Sequence, residues 1–154
     1  MTMPHSLADL AALARTEPGL QEVLGRSDAF LAVPETARPV ILAALTHATT
    51  RSPLVVAVPT GTMAQQVADD LSAFLDPADV AVFPAWETLP FERVSPAVHT
   101  MGERMRVLWR LRTDGERPRV VVAGTRALLQ KLAPGAESID PLTVTKGGRI
   151  DPDV

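Results

Sequence analysis

Four short apolar bursts, rich in β-branched residues, set the fold class of this chain. They are Ala29–Val33 (AFLAV), Leu54–Val58 (LVVAV), Val80–Phe83 (VAVF) and Arg119–Ala123 (RVVVA). Amphipathic stretches of about eleven to fourteen residues separate them, long enough for helices that cross back over a sheet. A burst with no polar residue, such as LVVAV, is what a strand covered on both faces looks like. The alternation predicts an α/β fold: a parallel sheet with helices on both faces. Strand order is not legible in this pattern.

Between the bursts, Thr36–Thr49 reads as a helix carrying Val40, Ile41, Ala44 and Leu45. Thr62–Leu75 reads as a helix with a capping box from Thr62 and Gln65 and with Val67, Leu71 and Phe74 on one face. Thr100–Arg112 reads as a helix with Met101, Met105 and Leu108 inward, and Thr125 opens a short helix to Leu132. Ahead of the first burst stand two short helices. One is Leu7–Ala14, capped by Ser6 with Asp9 and carrying Leu7, Leu10 and Leu13; the other starts near Pro18 and is ended by Gly25. Residues 1–28 are thus expected to be a helical preamble and residues 29–138 the main domain. Leu142–Lys146 reads as a strand followed by a Gly147-Gly148 turn and a helix beginning at Asp151. Residues 139–154 are expected to be the truncated start of a second domain.

The composition narrows function by exclusion. With 154 residues, 46% of them hydrophobic and 21% charged, the chain is globular in class. It has no cysteine, which excludes a disulfide framework, a thiolate metal site and a cysteine nucleophile, and which fits a cytoplasmic location. No apolar run approaches the roughly eighteen residues of a membrane span, and the start MTMPHSLADL lacks the basic opening of a signal peptide. The net charge of −3 argues against wholesale coating of nucleic acid. Basic residues nevertheless concentrate late, at Arg104, Arg106, Arg110, Arg112, Arg117 and Arg119, as a phosphate- or acid-facing patch or a solvated helix end would.

Each turn after a strand is a candidate site in such a fold. A phosphate-cradling loop needs glycines to wrap the anion, a lysine to reach it and a hydroxyl for magnesium. At the corresponding spacing this chain has Ala32, Ala37, Arg38 and Pro39, with Glu35 adding negative charge. Alanine disfavours the glycine conformations and proline offers neither hydroxyl nor N–H. The site is a degenerate cradle or a chance spacing, and no cofactor is expected in this chain. The Pro59-Thr60-Gly61-Thr62 turn offers helix amides to an anion but is also an ordinary turn. His5, His47 and His99 lack metal-ligand spacing, and Ser95 near Glu92 and His99 lacks the elbow that presents a nucleophile. No catalytic residue and no metal ligand is assigned.

The segment FPAWETLPFERVSP, followed by MGERMRVLWRL and VVVAGTRALLQKLAP, resembles the N-terminal, UvrB-like region of transcription-repair coupling factors (Mfd). Trp86-Glu87-Thr88-Leu89-Pro90 with Ser95-Pro96 is its most distinctive part, and the likeness runs from about Phe30 to Val154. The resemblance implies a RecA-like domain derived from P-loop NTPases, in which Ala32–Pro39 is the relic of a nucleotide cradle. It also implies a complete protein that displaces stalled RNA polymerase with an ATP-driven translocase on double-stranded DNA and recruits UvrA. ATP and magnesium would then belong to a motor downstream of Val154. UvrB's aromatic hairpin for damaged DNA has no counterpart here beyond Trp86 and Phe91.

The expectation is therefore a non-catalytic platform from the start of such a protein, making intramolecular domain contacts and none with a membrane. Trp86, Glu87, Arg104, Arg106 and Arg110 are the candidate interdomain or partner surface. Two other readings stand beside it: a small phosphate- or nucleotide-binding α/β protein using Thr60–Thr62, and a free-standing nucleic-acid-binding module.

Overall fold

A computed structural model describes residues 6–88, 95–132, 134–142 and 146–147. Its centre is a parallel three-stranded sheet of β1 (Leu54–Val58), β2 (Val80–Phe83) and β3 (Val120–Gly124). The strand order is β1-β3-β2. Leu54 pairs with Val120 and Val58 with Gly124 on one side of β3, while Val80 pairs with Val120 and Phe83 with Ala123 on the other. The expected α/β class and parallel pairing are both present.

Strand alternation sorts the apolar bursts between two helical layers. On one face Val56, Val120, Val122 and Val82 pack against α3 (Arg38–Ala48) and α4 (Gly61–Leu71). On the other, Ala81 and Val121 meet Val107 and Leu111 of α5 (Val98–Arg112). Central β3 is buried along its whole length. β1, at the edge, is not: Leu54, Val56 and Val58 turn inward while Val55 is 56% exposed. The expectation that LVVAV is covered on both faces fails because α5, which packs over β2 and Val121 on that side, does not extend over β1.

The expected strand Ala29–Val33 does not form. These residues make no sheet pairing, and Phe30 is 92% exposed. An apolar run is a strand only when another edge supplies its hydrogen bonds. The chain instead enters α3 through a single 3₁₀ turn, Glu35–Ala37, with Pro39 in the first helical turn, where its missing N–H is no loss.

Three helix details also differ from expectation. Thr60, not Thr62, caps α4: its hydroxyl accepts from the Met63 N–H at 3.1 Å, while Gln65 donates to Asp69. In α5 the buried positions are Thr100, Arg104 and Val107, whereas Met101 is exposed and Met105 and Leu108 are half-buried. The inward stripe is set by what β2 and its loop present, so it falls one position from the methionine stripe. The last helix, α6 (Thr125–Leu129), stops short of Leu132, and the Thr125 hydroxyl donates to the Val58 carbonyl rather than to its own helix.

At the start, α1 (Leu7–Ala14) has the capping box read from Ser6 and Asp9. It packs on α3 through the small face at Ala11, leaving Leu7, Leu10 and Leu13 exposed. α2 (Pro18–Val23) buries Leu20, and Gly25 follows it at φ +78°. Leu142 is not in a strand and Gly147 takes a turn at φ +84°. Lys146 lies in the same turn as Gly147, while residues 143–145 of the expected strand and the helix at Asp151 lie outside the described residues, as do Leu89–Val94.

Candidate functional site

The most organised polar cluster surrounds Pro84–Thr88, the segment leaving the carboxyl end of β2. Arg104 is fully buried, and its guanidinium lies 4.2 Å from the centre of the Phe83 ring and 4.5 Å from that of Trp86. Nη1 donates to the Pro84 carbonyl at 2.5 Å. Stacking on two π-faces compensates part of the lost hydration of the cation. Burial still pushes the Arg104 guanidinium below its ordinary pKa.

Both neighbouring helices hold this loop. From α5, the Thr100 hydroxyl donates to the Glu87 carboxylate. That hydrogen bond, helped by the backbone N–H groups of Glu87 and Ala97, holds Glu87 below the ordinary carboxylate range. From the other side, Gln130 Oε1 accepts from the Trp86 N–H at 2.7 Å and its Nε2 donates to the Trp86 carbonyl at 3.3 Å. Arg126 donates to the carbonyls of Glu87 (3.3 Å) and Thr88 (3.1 Å). Thr100 and Arg104, four residues apart on α5, share one helix face, while Arg126 lies in α6 and Gln130 just past its end.

The structure brings Trp86, Glu87 and Arg104 together and separates them from the other two predicted residues. Arg104 is an interior cation, not part of a solvated face. Arg106 is exposed. Arg110 reaches away, donating to the carbonyls of Glu116 (3.0 Å) and Ala78. The rest of the basic run is used in the same way. Arg117 donates to the Leu111 carbonyl at 3.0 Å, Arg119 to Thr46 at 2.6 Å, and Arg112 to Ile139 at 2.6 Å while pairing with Asp140 at 2.5 Å. These arginines tie loops to helix ends. Sequence reasoning missed Thr100, Arg126 and Gln130; the equal spacing of the two pairs is the only trace they leave.

In the segment Ala32–Pro39, Ala37 has φ −94° and Arg38 pairs with Glu35 at 3.7 Å, both side chains in solvent. The segment borders an open trough of about 810 Å³ floored by Leu42, Val56, Val58 and Phe74 and edged by Asp69 and Asp70. Three acidic side chains, Glu35, Asp69 and Asp70, against one basic, Arg38, make this lining unfavourable to a triphosphate. At the Thr60–Thr62 turn, a Cβ built on Gly124 would stand 3.0 Å from the Gly61 nitrogen, so the β3 backbone already closes against it. Among the described residues no group of three or more His, Asp or Glu side chains is placed to hold a metal, and no helix is long and apolar enough to cross a membrane.

Known proteins place this architecture. Transcription-repair-coupling factors of Mycobacterium bovis (strain ATCC BAA-935 / AF2122/97) and Mycobacterium tuberculosis (strain CDC 1551 / Oshkosh) are each 38% identical to it over 151 residues. The alignment takes in 92% of this chain. The chain is similar to transcription-repair-coupling factor. It spans about 12% of the length of those curated relatives. No protein-family model matches it. The likeness expected from the WETLP block thus extends through nearly every described element.

Proposed function

We propose that this chain is the non-catalytic opening platform of a transcription-repair coupling factor. The similarity over 92% of its length to relatives of which it spans about 12% carries this reading. On this proposal the domain is RecA-like, with Ala32, Ala37, Arg38 and Pro39 as a relic cradle. Residues 1–28 form its preamble and 139–154 begin a second domain. RNA polymerase, UvrA, double-stranded DNA, and the ATP and magnesium of a motor belong to the complete protein, working in the cytoplasm. The platform's part is mechanical: it offers an open sheet edge at β1 and a loop fixed at Pro84–Thr88 to neighbouring modules.

The test has two arms. Titrating residues 1–154 with ATP and magnesium gives no saturable binding on this reading, whereas saturable binding supports the phosphate-binding alternative. In an intact protein, Glu87→Ala with Arg106→Ala changes the ATPase rate or UvrA binding. No change in either removes this surface from the interdomain contacts.

A further inference from the structure

Arg104 holds a donor pair that the fold leaves unused. Nη1 is bonded to Pro84, but Nε and Nη2 are buried and have no acceptor among the described residues. Those two N–H groups lie on the same edge of a guanidinium, the edge that grips a carboxylate with two parallel hydrogen bonds. Burying a cation with two donors unmet is costly, and native structures rarely keep such groups without a use. The Glu87 carboxylate, on the same loop, is already engaged: it accepts from Thr100 and from the backbone N–H groups of Glu87 and Ala97.

We propose that the Nε/Nη2 edge of Arg104 is the receptor for a single Asp or Glu side chain of a partner protein. Phe83 and Trp86 fix the plane of the guanidinium, so the fork is oriented before anything arrives. The fork is covered in this structure, so a ligand reaches it by parting the loop from α5. Among the described residues the Thr100–Glu87 hydrogen bond and the Arg104 contacts hold the loop to α5, while Gln130 and Arg126 tie it to α6. Met101, about one turn before Arg104 on α5, and Val98, at the first position of that helix, are exposed and give an apolar approach. The matching ligand is therefore an acidic residue flanked by apolar ones. This inference stands apart from the platform reading, since it concerns one side chain's hydrogen bonding and not the lineage of the domain.

The experiment follows the Arg104 side-chain Nε–H and the Trp86 amide by heteronuclear NMR in residues 1–154. The probes are sodium acetate, a blocked Leu-Glu-Leu peptide and its Leu-Gln-Leu counterpart, each against sodium chloride at equal ionic strength. The expected result is a saturable downfield shift of the Arg104 Nε–H with acetate and with the glutamyl peptide, tighter for the peptide and absent for the glutaminyl one. Arg104→Lys, checked for folding by circular dichroism, weakens the Trp86 response by about tenfold because an ammonium lacks the fork. Thr100→Val, which frees the α5 side, strengthens binding. No shift beyond chloride overturns the proposal, as does an unchanged response in Arg104→Lys or a fall in affinity in Thr100→Val. Acetate binding without a tighter peptide overturns the assignment to a protein partner.

Discussion

A buried arginine held between two rings is an unusual way to fasten a loop, and its energetics are open to measurement. Arg104→Met keeps the apolar stem, though not the full length, of the side chain and removes both the charge and the two orphaned donors, so it destabilises by less than truncation does. Arg104→Ala leaves a hole beneath Phe83 and Trp86 and costs about 2–5 kcal/mol. Urea unfolding followed by tryptophan fluorescence separates the two outcomes. Glu87 adds a pH dependence of known sign. Its carboxyl is held below the ordinary value of 4.5, so its contribution is present above that value and lost as pH falls through the lower one. Thr100→Val flattens this acid limb in a fluorescence titration of Trp86. The sequence marked Trp86, Glu87 and Arg104 as belonging to one surface, but it did not show that Arg104 lies inside. A helix turn of Arg104, Arg106 and Arg110 looks solvated until Phe83 and Trp86, some twenty residues earlier, are seen to sit against one member of it.

Among the elements, strands were legible where a partner strand exists. LVVAV, VAVF and VVVA all form, whereas AFLAV has the same chemistry and does not, because pairing is a property of two segments and apolarity of one. Helix starts were ambiguous for a similar reason: Thr60 and Thr62 are equally good caps in sequence, and only the backbone turn decides between them. Thr60→Ala is expected to cost about 1 kcal/mol through loss of the α4 cap, with Thr62→Ala near neutral, as thermal unfolding would show. The β3–α6 junction is more demanding. Gly124 has an ordinary φ of −69°, so alanine is not excluded by backbone strain; it is excluded by Thr60 and Gly61, 3.0 Å from where the methyl would be. Gly124→Ala should destabilise by about 1–3 kcal/mol in the same assay, since both obstacles are backbone atoms.

For the whole molecule, the consequential asymmetry is between β3, sealed on every side, and β1, open along one edge and on one face. In residues 1–154, Val55→Thr is expected to shift stability by less than about 0.5 kcal/mol, because the side chain is already in water. Val121→Thr, next to it on β3, buries a hydroxyl and costs about 1–3 kcal/mol. If the rest of a longer protein covers β1, the Val55→Thr change becomes destabilising there, which differential scanning calorimetry of the two lengths would reveal. The fastening of the loop after β2 has its own bearing on how such a protein can vary. Gln130 and Arg126 grip the main chain of residues 86–88, whose carbonyls and N–H groups are the same whatever side chains hang from them. Position 88, whose side chain takes no part in that grip, can therefore drift in chemistry while its geometry is inherited, so that specificity evolves there without refolding the frame that displays it.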